Sequence, residues 1–200
     1  MPHLVLASQS PRRLDLLRGL KLQFDVIASN VDESINDGAH PRQTVLDLAE
    51  KKASFVAEEL LKQGKNESYV VLGADTIVVI DEEILGKPSD ENEAREMLGK
   101  LSGREHEVYT GVVLVLIPSN KKLSCAVVSK VKFKNLDERE IDALIAGGET
   151  MDKAGAYALQ GMAAAFVERI DGCVTNIIGL PLTATTNLLR EAGIPVFDLV

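Results

Sequence analysis

The 200 residues, 46% hydrophobic and 26% charged, hold enough apolar material for one packed domain spanning 1–200 and exclude a disordered chain. A net charge of −8 excludes a broad sequence-independent footprint on a nucleic-acid backbone. No apolar run reaches the roughly 18 residues of a membrane span, and Met1–Ser10 lacks the basic and apolar regions of a signal peptide. The expectation is therefore a cytoplasmic protein with no nucleic-acid or membrane partner.

In chain order, His3–Ala7 reads as a first strand, and Pro11 opens an amphipathic helix over Arg12–Leu20. Phe24–Ala28 reads as a second strand and Asn30–Arg42 as a polar loop. Val45, Leu48, Ala49, Ala53, Val56 and Leu60 recur at helical spacing, which predicts a helix over Gln43–Gln63 ended by Gly64 and Asn66. Tyr69–Ile80 is the most apolar stretch and is too long for one ordinary strand on one face. Asp81–Glu83 then turns the chain into Ile84–Leu85, and a helix over Ser89–Leu101 follows. Strands over Glu107–Ile117 and Leu123–Phe133 flank a Pro118–Asn120 turn, and Asp137–Ile145 is a short helix. Ala163–Ile170 and Val174–Ile178 are predicted to form a second hairpin about Asp171–Gly172, before a last helix over Pro181–Ala192. Hairpins mixed with crossovers predict an α/β fold on a mixed sheet. Cys125 and Cys173 read as small apolar residues in strands, and His3, His40 and His106 match no zinc spacing.

Chemistry concentrates in a few segments. In Ser8–Gln9–Ser10–Pro11–Arg12–Arg13 a serine caps a helix that starts on Pro, and free backbone N–H groups there attract anions. Arg12 and Arg13 oppose the dipole of that helix, a placement best explained by a bound polyanion, with a solvated basic turn as the alternative. Asp75 interrupts the most apolar run, so it is paired, metal-bound, satisfied by turn N–H groups or at an exposed strand end. Lys52 at mid-helix reads as solvated or as facing the same site, and Lys87 lies in a Gly–Lys–Pro break. Lys153 and Gln160 are polar among small residues that let backbone approach a ligand. No P-loop, GxGxxG, GxSxG or HExxH occurs.

Taken together, Leu6–Arg13, Gly73–Thr76, Gly86–Pro88, Leu101–Gly103, Thr110–Val112, Asp152–Tyr157 and Gly179–Pro181 resemble, in order, the motifs of the Maf family of nucleoside triphosphate pyrophosphatases. The resemblance implies an elongated α/β fold, with helices flanking a curved mixed sheet and a central cleft, as in inosine triphosphate pyrophosphatases. It implies hydrolysis between the α- and β-phosphates, giving a nucleoside monophosphate and pyrophosphate. By position, Asp75 resembles the catalytic carboxylate, as base, metal ligand or both. Ser8, Arg12, Arg13, Lys52, Lys87 and Lys153 resemble substrate contacts, and Glu33 a further metal or substrate contact. The implied cofactor is a divalent cation, Mg²⁺ or Mn²⁺, which takes few carboxylates when phosphates supply the other oxygens.

Arg12, Thr76 and Gln160 resemble the dTTP/UTP subgroup, against an aromatic, Gln and Glu in the 7-methyl-GTP subgroup. A glutamine amide both donates and accepts, which suits a uracil or thymine edge. The implied role is removal of dTTP, UTP and candidate modified pyrimidine nucleotides before polymerases use them. The alternative is a nucleotide-sensing regulator of septum formation, which would keep the basic contacts without needing Asp75. A homodimer is the family-based expectation.

Overall fold

The computed structural model describes residues 1–35, 39–64 and 67–197. Part of the expected 30–42 loop and the expected helix stop at Asn66 lie outside the described residues.

Seven strands form one sheet in the order β2-β1-β3-β5-β6-β7, with β4 on β3. The strands are β1 (His3–Leu6), β2 (Asp25–Val26), β3 (Tyr69–Ile80), β4 (Glu83–Leu85), β5 (Glu105–Ile117), β6 (Lys121–Phe133) and β7 (Val167–Asp171). The helices are α1 (Pro11–Gly19), α2 (Pro41–Lys62), α3 (Glu91–Leu101), α4 (Glu138–Ala146), α5 (Val174–Ile178) and α6 (Leu182–Glu191). β1 pairs parallel with β2 and β3, while β4 pairs antiparallel with β3 and β7 antiparallel with β6. The expected mixed α/β sheet with flanking helices is borne out.

The chain divides into two compact units. Unit 1 comprises Met1–Asp75, Thr110–Val127 and Gly179–Val200, and unit 2 comprises Thr76–Tyr109 and Val128–Ile178.

In unit 1 the central strands β1, β3 and the Thr110–Ile117 part of β5 are buried on both faces, which explains their apolar runs. The two-residue period sends Leu4, Leu6, Leu72 and Leu114 to one face, against Leu17 of α1 and Leu189 of α6. It sends Val5, Val71 and Val113 to the other, against Ala49, Ala53 and Val56 of α2. The helix lies unusually close to the strands. A Cβ on Gly73 would stand 2.2 Å from the Ala49 carbonyl oxygen, and one on Gly111 2.4 Å from that of Val45. Only glycine permits that approach, and it fixes the α2 backbone over β3 and β5.

In unit 2 one core gathers Leu85, Leu98 and Leu101 with Val131, Phe133 and Leu144. Along β6 the residues from Val128 to Phe133 alternate exposed or half-buried with buried, so here that strand has one wetter face. Asp90 caps α3 by accepting from Glu93 N at 2.9 Å. Asp137 and Glu140 form a reciprocal capping box on α4, at 2.9 and 3.1 Å.

Two expectations are corrected. The second strand shrinks from Phe24–Ala28 to Asp25–Val26, since only two of its residues pair with β1. Tyr69–Ile80 agrees with its reading as too long for a one-faced strand: it is a single strand of 12 residues buried along nearly all its length. The second hairpin does not form: Ala163–Phe166 is a 3₁₀ turn and Val174–Ile178 is helical, so Cys173 precedes a helix and lies outside any strand. β-Branched residues there predicted a strand, but tertiary contacts overrode that preference. Asn176 is fully buried, and its amide donates to the Val108 carbonyl and to Ser129 Oγ, both at 2.9 Å. That anchorage requires a helical turn, begun where the Cys173 carbonyl accepts from Asn176 N at 3.1 Å.

Candidate active site

In unit 1 Lys52, Glu33 and Arg13 converge on Asp75. Alternation along β3 places Asp75 on the same face as Val71 and Gly73, towards α2. Lys52 lies on α2 between Ala49, whose carbonyl abuts Gly73, and Ala53. The close helix–strand approach therefore delivers the Lys52 ammonium to the carboxylate. Nζ donates to Asp75 Oδ1 at 2.6 Å and lies 2.9 Å from Glu33 Oε1. Lys52 is only 5% exposed and Asp75 6%, whereas the Glu33 side chain is 41% exposed. Of the alternatives open for Asp75, the paired carboxylate is the one observed. The solvated reading of Lys52 is overturned, because the side chain turns inward to two carboxylates.

Arg13 extends the cluster. Its Nε donates to the Gly179 carbonyl at 2.8 Å. Burial pulls the guanidinium below its ordinary pKa, Asp75 and Glu33 pull it back, and neighbouring Arg12 adds to the lowering. The Gly179 partner was not readable from sequence: 166 positions separate it from Arg13, and a backbone acceptor leaves no side-chain signature. Ser10 is the N-cap of α1 but makes no side-chain cap bond, and Pro11 takes the first turn. Instead Ser8 Oγ accepts from Ser10 N at 3.1 Å, shaping the entry to the helix that carries Arg12 and Arg13.

In unit 2 Lys87 and Lys153 come from neighbouring segments, because Gly155 N donates to the Gly86 carbonyl at 3.0 Å. Lys153 Nζ is ion-paired with Asp152. Thr76 is half-buried on β3, directly after Asp75, and Gln160 is exposed in the turn where Gly161 N donates to the Ala158 carbonyl at 3.1 Å. Sequence reading missed the support behind this segment. Tyr157 OH and His106 Nε2 share a 2.8 Å hydrogen bond inside the core, edge-on to Phe133. Burial lowers the His106 pKa to about 4, with a small opposing pull from Glu105, and raises that of Tyr157.

Among the described residues no group of three His, Cys, Asp or Glu side chains could hold a metal, and no helix is long and apolar enough to cross a membrane. Chemically, unit 1 offers two carboxylates bridged by one ammonium, with arginine beside them, so hard oxygen acceptors and cationic donors lie together.

Residues 3–192 match the family model described as Maf-like protein. A dTTP/UTP pyrophosphatase of Pelotomaculum thermopropionicum is 46% identical over 193 residues, 96% of this chain and 98% of its own length. A dTTP/UTP pyrophosphatase of Clostridioides difficile is likewise 46% identical over 189 residues, 94% of each chain. The Ham1 protein of Staphylococcus aureus, a solved structure, is 12% identical with a TM-score of 0.45, covering 94% of this chain and 98% of that one.

Proposed function

The chain belongs to the Maf-like protein family, and from that premise we propose that it hydrolyses nucleoside triphosphates, dTTP and UTP foremost, at the α–β phosphoanhydride. The observation that carries the reading is the buried Asp75–Lys52 pair with partly exposed Glu33, beside Arg13. The names of relatives 46% identical along almost the whole chain support the same activity. Water adds to phosphorus, the anhydride P–O bond breaks, and pyrophosphate leaves with the bridging oxygen. In this reading Asp75 orients the water and accepts its proton, and Glu33 shares the charge. Arg12 and Arg13 bind phosphate oxygens through charge-assisted hydrogen bonds. Ser8, Lys87 and Lys153 are proposed as further substrate contacts on the family resemblance, and Arg12, Thr76 and Gln160 as the determinants of base choice.

Mg²⁺ or Mn²⁺ is the proposed cofactor. Asp75 and Glu33 fit it, since both present hard carboxylate oxygens to one positive centre and Mg²⁺ takes one or two such ligands. When bound, the cation would neutralise phosphate charge and acidify a water. The proposed role is to clear these nucleotides, and modified pyrimidine nucleotides with them, from the cytoplasmic pool.

The test is a panel of nucleoside triphosphates incubated with the protein and Mg²⁺ or Mn²⁺, with monophosphate and pyrophosphate quantified. Equal amounts of both products are expected, with kcat/KM for dTTP and UTP above that for GTP and 7-methyl-GTP. No turnover of any nucleotide by folded, metal-supplied protein overturns the activity. Preference for 7-methyl-GTP overturns only the base assignment.

A further inference from the structure

Lys52 bears a family resemblance to a substrate contact, yet its ammonium is already occupied. Nζ touches Asp75 Oδ1 at 2.6 Å and Glu33 Oε1 at 2.9 Å, at a position nearly closed to solvent. These are the oxygens assigned above to a divalent cation. Resting on that metal assignment, we infer that Lys52 is an internal counterion: it holds the cation's place between the two carboxylates in the metal-free protein and competes with the cation for them.

The physical argument has three parts. Two carboxylates drawn to one point repel each other, and a buried carboxylate without a partner is costly, so the metal-free fold needs a positive charge there. An ammonium and a divalent cation cannot both sit against the same oxygens, because their mutual repulsion grows as separation and dielectric constant fall. Lysine is also the cation able to withdraw, being a point charge on a flexible four-carbon stem. Arg13 differs, since its Nε is tied to the Gly179 carbonyl. The α2 backbone cannot retreat either, because it is seated on Gly73 and Gly111. Exchange is therefore a rotation of the Lys52 side chain. Two consequences follow: the chain folds without metal, and it binds free cation weakly compared with cation delivered on a nucleotide.

The experiment uses the whole chain without nucleotide. Mn²⁺ binding is followed through the electron paramagnetic resonance signal of free Mn²⁺, and thermal unfolding is measured in chelator and in Mn²⁺. Lys52→Gln, which removes the charge, is expected to bind Mn²⁺ at least tenfold more tightly than wild type. It is also expected to melt lower in chelator and to gain more from Mn²⁺. Lys52→Arg, which keeps the charge, is expected to bind no more tightly than wild type. Lys52→Met repeats the neutralisation with an apolar chain and guards against a folding defect in one variant. If wild type binds Mn²⁺ but neither neutral variant binds it more tightly, the competition is overturned while the metal assignment stands. If no form binds Mn²⁺ saturably, the metal assignment fails and the inference fails with it.

Discussion

The two units differ in the charge of the polar groups they bury. Unit 1 buries charge: among the described residues, the charged side chains classed as buried are Lys52 and Asp75, and both belong to it. Unit 1 also buries neutral Ser8, Thr44, Thr110, Thr185 and Thr186, whereas the buried polar groups of unit 2, among the described residues, are all neutral: His106, Ser129, Thr150 and Asn176. Neutral hydrogen bonds lock a core at modest desolvation cost, as where Asn176 pins α5 and His106 holds Tyr157. A buried ion pair adds little net stability, because desolvation offsets most of its attraction. A charged cluster that adds little stability asks for a reason other than folding, whereas the neutral hydrogen bonds of unit 2 account for themselves as packing.

The contrast breaks most readily at Asp75. Asp75→Asn keeps the shape and removes the charge, and turnover is expected to fall by about two to four orders of magnitude, the range for losing acid–base help. The chain should still fold, because Lys52 keeps Glu33 as a partner. Steady-state rates with circular dichroism check both halves, and near-normal turnover would remove Asp75 from the mechanism.

In unit 2 the expected effects fall on stability. Asn176→Ala leaves the Val108 carbonyl and Ser129 Oγ short of a donor and opens a small cavity, at a cost of about 3 kcal/mol in denaturant unfolding. A loss below about 1 kcal/mol would show that α5 forms without this anchor.

His106 gives the neutral network a pH signature. Its folded-state pKa is about 4 against an ordinary 6.5, so between these values the unfolded chain takes up a proton that the folded chain does not. Its contribution is fully present above pH 6.5 and is lost as pH falls towards 4. At pH 5 the loss relative to neutral pH is about 2 kcal/mol, at 1.4 kcal/mol for each unit of pKa difference. Unfolding titrations of wild type and His106→Gln should differ in slope over this window, and identical slopes would mean that His106 is not held neutral.

The smallest effect sharpens the comparison from unit 1. Thr185 on α6 is fully buried, and its Oγ1 has no hydrogen-bond partner among the described residues. Thr185→Val is expected to raise stability by about 1 kcal/mol, because it removes an unsatisfied hydroxyl at nearly constant volume. A loss of stability would reveal a partner for that hydroxyl.

Local chemistry made much of this protein readable before its structure. Helical spacing located α2, Asp137 opened the expected short helix that became α4, and the Pro118–Asn120 turn between apolar runs marked the β5–β6 connection. A lone carboxylate in the most apolar run pointed to Asp75, because burying charge without purpose is costly. All of these signals act within a few residues, where composition and period suffice.

What the tertiary structure decided lies beyond that reach. Val174–Ile178 became helix because buried Asn176 needed Val108 and Ser129 as partners. Lys52 was ambiguous on its own helix and acquired its partners only when Gly73 and Gly111 let α2 settle onto β3 and β5. Arg13 found an acceptor 166 positions away. In each case the deciding partner is distant in sequence and its contribution depends on burial, a property that exists only once the chain has packed.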